Sequence, residues 1–93
     1  MKCTACGRWR LLEKAHICGG EWKHSLPEDI NVVMICGECH RTGSYAHHHL
    51  GTWRGVIERY PHMKPIVERA EEERRIRRQV SRSALMDGIR RRA

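Results

Sequence analysis

Ninety-three residues with a formal net charge of +7, no Phe, three Trp and two Tyr describe one small domain short of large apolar side chains. A chain this short buries too little surface to offset its conformational entropy with ease, so a metal or disulfide staple is expected. The excess of positive charge says nothing of fold but favours a polyanionic partner, either nucleic acid or an acidic membrane surface.

Residues 1–10 open with Cys3-x-x-Cys6-Gly7, a tight turn, and continue into Arg8, Trp9 and Arg10. This start lacks the apolar run of a signal peptide, and no stretch approaches the roughly 18 apolar residues of a membrane span. A cytoplasmic location without a membrane partner is therefore expected. In that reducing setting five cysteines suit metal binding better than disulfides. Leu11 to Ile17 reads as a short strand, although its Leu, Glu, Lys and Ala also suit helices. Cys18 to Asp29, with Gly19-Gly20, Ser25 and Pro27, reads as a loop. Ile30 to Ile35 is rich in β-branched residues and is the strongest strand signal in the chain.

A helix is expected to start within Cys36-Gly37-Glu38-Cys39-His40-Arg41. Thr42 to Pro65 reads as irregular, punctuated by Gly43, Gly51, Gly55, Pro61 and Pro65, with one or two helical turns over Trp53 to Tyr60. From Ile66 the composition shifts to Glu, Arg, Ala and Gln. Ile66, Ala70, Ile76 and Val80 form a thin apolar stripe there, while Glu71–Arg75 and Glu73–Arg77 are i,i+4 pairs in the favourable order. Ser81-Arg82-Ser83 is expected to break or cap this helix before a second one ending in Arg90-Arg91-Arg92. The shift divides the chain into a core, residues 1–65, and a basic helical extension, residues 66–93.

Cys3-x2-Cys6 and Cys36-x2-Cys39 are separated by 29 residues. Each two-residue gap lets the backbone aim both sulfurs at one ion, so two such pairs read as a tetrahedral tetrathiolate zinc site. Zinc bound this way supplies roughly 10 kcal/mol or more of folding free energy at neutral pH, which compensates for a weak core. Four thiolates close the coordination sphere, so this ion is structural and the chemistry must come from other residues. Cys18 lies outside the pattern and reads as a small, half-buried thiol.

Between the cysteine pairs lie Glu13-Lys14-Ala15-His16-Ile17, a Gly-Gly loop, Asn31-Val32-Val33-Met34-Ile35-Cys36 and Cys39-His40. In order, His16, Asn31 and His40 resemble the H, N and H of the HNH endonuclease family over about residues 3–49. Small modules of this kind look like those of phages and mobile elements. The resemblance implies a ββα-metal fold gripping one catalytic divalent ion (Mg²⁺, Mn²⁺, Ni²⁺ or Zn²⁺), often beside a zinc clamp. It matches His16 to the general base that takes a proton from water, a role suited to an imidazole with an ordinary pKa near 6.5. It matches Asn31 to the residue whose amide ties down the loop between the strands, and His40 to the helix-borne metal ligand. At the position before the base, where the family often has Asp, this chain has Ala15. The absent ligand is expected from Glu13, two residues earlier and on the same strand face, or from one of His47, His48 and His49, with the triplet favoured. His24 and His62 have no such context and read as ordinary.

Residues 66–93 carry nine Arg against four Glu and one Asp, a net +4. A helix bearing Arg74, Arg75, Arg77, Arg78 and Arg82 can follow a phosphate backbone. It can equally pack on the core, on a second copy or on a protein partner. Arg8, Arg10, Lys23, Arg41 and Arg54 are expected to line the mouth of the site. The sequence thus predicts an α+β fold, a zinc-stapled ββα-metal, treble-clef-like nuclease core with a C-terminal helical extension. The expected function is metal-dependent hydrolysis of DNA phosphodiester bonds. The rival reading is a non-catalytic treble-clef zinc module binding nucleic acid or a protein, and no sequence feature separates RNA from DNA as the target.

Overall fold

The computed structural model describes residues 1–92, with side-chain surroundings through residue 82. The elements in chain order are β1 (Leu12–His16), α1 (Glu28–Asn31), β2 (Val32–Cys36), α2 (His47–Leu50), α3 (Arg54–Arg59) and α4 (Lys64–Arg92). Short 3-10 turns cover Gly20–Trp22 and Pro61–Met63, and a π-type turn covers Glu38–Thr42. The fold is a small α+β arrangement around a two-stranded sheet.

The strands pair antiparallel, from Leu12 opposite Cys36 to His16 opposite Val32. Alternation of side chains then decides which residues meet the core. Ala15, Ile17, Val33 and Ile35 are buried, while Lys14 is exposed and pairs with Glu28 at 3.1 Å. Leu26, Trp53, Val56, Met63, Val67 and Ala70 complete the core. The second strand starts later than its β-branched run suggests. The C=O of Pro27 accepts from the N–H groups of Ile30 and Asn31, winding both into the single turn of α1.

The segment expected to be largely irregular holds α3, within the helical turns expected over Trp53 to Tyr60, and a further short helix, α2. Neither is long enough to persist alone in water, so they form because Ala46, Trp53 and Val56 are buried against the rest of the core. The helix expected after Cys36 is limited to one π-type turn ending at Gly43. The Gly43 N–H bonds the Glu38 C=O at 2.8 Å, and a Cβ on residue 43 would lie 2.7 Å from that oxygen, so glycine is required for so close an approach.

Helix α4 has 29 residues, a length of about 44 Å at 1.5 Å per residue, and it accounts for a molecule 58 Å long but only 22 and 20 Å across. Its first turns belong to the core through Val67 and Ala70. The apolar stripe departs from the one expected: Val67 takes the buried place, Ile66 is half-buried, and Ile76 and Val80 are exposed. No break occurs at Ser81-Arg82-Ser83, because a backbone rich in Arg, Glu and Gln continues through them as one helix. Of the two expected ion pairs, Glu73–Arg77 forms at 2.9 Å, whereas Arg75 turns to Glu72 at i,i+3 instead of Glu71. The side chains of Arg90, Arg91 and Arg92 lie outside the described ones. No described helix is long and apolar enough to cross a membrane.

Candidate metal centre and its surroundings

Cys3 and Cys6 sit on a knuckle that turns at Gly7, whose φ of +76° favours glycine. The Gly7 N–H bonds the Cys3 C=O at 2.9 Å, and the Thr4 N–H bonds the Met34 C=O at 3.1 Å, fixing the knuckle to β2. Cys36 ends β2 and Cys39 lies in the turn that follows. The four sulfurs lie within 4.8 Å of one another, with Cys3–Cys39 at 4.0 Å and Cys6–Cys36 at 3.8 Å. Ligands of a tetrahedral zinc at about 2.3 Å stand about 3.8 Å apart, so the cluster fits that ion.

The N–H groups of Cys6 and Cys36 point at the Cys3 sulfur, at 3.4 and 3.3 Å. Burial alone would raise the Cys3 thiol, but these hydrogen bonds outweigh it and bring its pKa from 9.0 to about 7. Burial pushes Cys6 and Cys39 upward, as expected of thiols that become thiolates only with metal. Among the described residues, these cysteines are the group of three or more His, Cys, Asp or Glu side chains with donor atoms so gathered.

Asn31 is the buried polar side chain of the core. Its Oδ1 accepts from the Cys18 N–H at 2.7 Å, and its Nδ2 donates to the C=O of Cys18 at 3.0 Å and of Lys23 at 3.3 Å. The loop leaving β1 is thereby tied to the entry of β2, immediately after His16. Cys18 itself is buried in the core, more deeply than the sequence suggests, and burial raises its pKa.

His16 closes β1 on the strand face opposite Glu13 and Ala15. Its ring meets His24 edge-on at 5.4 Å. Burial lowers its pKa below 6.5, and the charges of Lys23, His24 and Lys14 lower it further. Ala15 is fully buried, so a charged ligand at this position would stand in apolar packing.

On the other face, Glu13 reaches the turn after β2. His40 Nδ1–H donates to Glu13 Oε1 at 2.8 Å, and Arg41 grips the same carboxylate at 2.8 and 2.6 Å. The Arg41 guanidinium, and after it His40, holds the Glu13 carboxyl at about 2, well below its ordinary 4.5. With Nδ1 so held, Nε2 is the free nitrogen of the His40 ring, the arrangement usual for a metal-binding imidazole steadied by a carboxylate. The His48 ring lies edge-on to His40 at 4.5 Å. His47 stacks on Trp53 at 4.3 Å and burial lowers its pKa, while His49 is exposed. Both positions that the resemblance offered as ligands in place of Ala15 therefore stand beside His40. Glu13 sits as its hydrogen-bond partner, and His48 is the member of the triplet that comes near.

The expected basic lining is largely engaged within the protein. Arg10 pairs with Glu38 at 2.6 Å and Arg8 with the same carboxylate at 3.7 Å. Arg41 is committed to Glu13, Lys23 lies near His16, and Arg54 is exposed at the start of α3. On α4, Arg75 holds Glu72, Arg77 donates to the Ser25 C=O at 3.0 Å, Arg78 lies over the Trp22 ring at 5.9 Å, and Arg74 is half-buried near Cys18. Of the histidines read as ordinary, His24 packs on His16, and the His62 ring N–H donates to the Thr4 C=O at 2.7 Å.

Two residues that sequence reasoning passed over contribute to the site. The Tyr45 hydroxyl lies 3.8 Å from the Cys39 sulfur and donates to Glu38 at 3.3 Å, and Trp53 donates its indole N–H to the Ile17 C=O at 3.2 Å. Neither sits in a motif. The scarcity of aromatics was the available signal, since each one present must carry much of the packing. Compared with known proteins, the chain matches no family model, no curated protein and no solved structure.

Proposed function

We propose that this protein is a zinc-stapled, metal-dependent HNH-type endonuclease that hydrolyses phosphodiester bonds of DNA. The observation that carries the reading is the Glu13–His40 pair: a ring held at Nδ1 by an ionised carboxylate, with Nε2 free, on the turn anchored by the four cysteines. His40 Nε2 is assigned as ligand of the catalytic divalent ion, with His48 as the nearest second donor and Glu13 as the positioning residue. Bound there, the ion supplies positive charge for the phosphate and the leaving 3′ oxygen. His16 is assigned as general base, kept neutral by burial and by Lys23, with Asn31 holding the loop behind it. The basic surface, with Arg54 and the arginines of α4, is assigned to phosphate contacts.

One observation favours a second reading, a non-catalytic zinc module that binds nucleic acid or a protein. Strand alternation turns His16 away from the Glu13–His40 face. Plasmid cleavage with Mg²⁺, Mn²⁺, Ni²⁺ or EDTA separates the two. His16→Ala is expected to fold, keep zinc and bind DNA while cleavage falls by about 10²–10⁴-fold. His40→Ala is expected to weaken divalent-ion affinity, with partial rescue by excess Mn²⁺. Wild-type cutting by both variants, or no cutting by the native protein with any ion, removes the nuclease reading and leaves the binding module.

A further inference from the structure

The N-terminal knuckle shows the most exposed aromatic side chain described. Trp9 is 78 % exposed, flanked by Leu11 at 93 % and Met1 at 73 %. The other two indoles are engaged: Trp53 is buried with its N–H bonded, and Trp22 lies under Arg78. In a chain with five large aromatics, an indole left in water needs a reason.

Trp9 is also rigidly mounted. It forms a β-bridge with Lys2, and that bridge is flanked by the Cys3 N–H to the Arg8 C=O at 2.9 Å and the Arg10 N–H to the Met1 C=O at 3.0 Å. Cys3 and Cys6 tie the same knuckle to the four-cysteine cluster. Little backbone freedom therefore remains to be lost when a planar group lands on the ring.

The charges nearby select the partner. Residues 1–12 contain Lys2, Arg8 and Arg10 and no acidic residue. Directly opposed residues of a β-bridge project to one face, which puts Lys2 beside Trp9. Arg8 and Arg10, at 3.7 and 2.6 Å from the Glu38 carboxylate, turn together to the other face, which leaves Lys2 as the cation on the Trp9 side. An exposed indole on a fixed backbone, with Lys2 beside it, matches an unpaired base and its flanking phosphate. A duplex hides its base faces and does not fit.

We infer that Trp9 is a stacking platform for an unpaired nucleobase, with Lys2 on the same face meeting an adjoining phosphate. The inference rests on the nucleic-acid reading above but not on cleavage. It implies that the protein engages frayed, nicked or single-stranded nucleic acid in preference to intact duplex.

The test uses the full-length, zinc-loaded protein and fluorescence anisotropy on labelled oligothymidylate, alone and annealed to oligoadenylate. Trp9→Ala is expected to lose about 5- to 150-fold in single-strand affinity, with duplex affinity unchanged. Trp9→Phe should keep most of the affinity, whereas Trp9→Leu, apolar but without a π face, should lose it as Ala does. Zinc content and circular dichroism matching the native protein show that each variant folds. Single-strand binding by Trp9→Ala or Trp9→Leu at native strength overturns the platform while leaving nucleic-acid binding intact. A change of assembly state in sedimentation for Trp9→Ala, with unchanged oligonucleotide affinity, assigns the patch to a protein interface and also overturns it. A native protein that binds neither strand nor duplex overturns the nucleic-acid reading itself.

Discussion

The two ends of this molecule are ordered by different physics. The N-terminal half draws its strand ends, knuckle and turn together around four sulfurs and one buried amide, contacts that join residues up to 36 apart in sequence. Helix α4 is seated by Val67 and Ala70, touches the loop after β1 through Arg77 and Arg78, and is otherwise ordered by i,i+3 and i,i+4 pairs such as Glu72–Arg75 and Glu73–Arg77. A chain without Phe can build an irregular site only where a strong, directional staple replaces apolar area. Where no site is needed, an Arg- and Glu-rich helix suffices.

The sharpest way to break this contrast is to take the staple away. Chelation of zinc, or Cys36→Ser, is expected to remove roughly 10 kcal/mol of folding free energy. The first half should unfold, as judged by circular dichroism and by elemental analysis showing loss of about one zinc per chain. A folded, zinc-free Cys36→Ser protein would remove the clamp from the account.

Asn31→Ala is the next test. It strands the Cys18 N–H and C=O inside the core, at about 1–3 kcal/mol for each group left without a partner. Urea unfolding should show that loss without loss of zinc. The root and the far part of α4 can be compared in the same way. Replacing Met63, buried just before it, with Ala should cost about 2–5 kcal/mol, while Val80→Ala on the projecting part should stay within about 0.5 kcal/mol. Equal costs would mean that the far part of α4 is packed against something, most simply a second copy.

The smallest effect concerns pH. Burial, then Lys23 and His24, lowers the His16 pKa, so its neutral form persists below pH 6.5 and is lost as pH falls through the lowered value. If His16 is the base, the acid limb of the cleavage–pH profile should lie below about 6.5. Lys23→Ala should move that limb upward.

The cysteine pairs and the strands were legible because their signals are local: a two-residue gap between sulfurs, and a β-branched run at β2. Asn31 was legible as a loop tie, but its place in α1 was not, since that turn depends on the Pro27 carbonyl rather than on propensity. Glu13 and the triplet His47, His48 and His49 were expected near His40, but the hydrogen bond from His40 to Glu13 became visible only with the strand register, which brings Glu13 opposite Ile35 and so toward the turn that follows β2. Helix α3 falls inside the helical turns expected over Trp53 to Tyr60, whereas α2 was missed because four residues carry too little periodicity; buried Ala46 and Trp53 flank it. The Ser81–Ser83 break was over-read, because two serines on an otherwise favourable helix cost less than its neighbours contribute.

The continuity of α4 from the core outward has a geometric consequence. A helix seated by Val67 and Ala70 and uninterrupted to Arg92 behaves as a pointer whose direction is set at its root. Adding one residue between Ala70 and Ile76 would advance everything beyond it by about 1.5 Å and swing it through about 100°. Adding seven would return it to within about 20° of its original bearing while advancing it by about 10.5 Å. Whatever the outer arginines touch is thus read at a fixed phase relative to the sulfur clamp, and indels in that stretch act as a dial on azimuth rather than on folding.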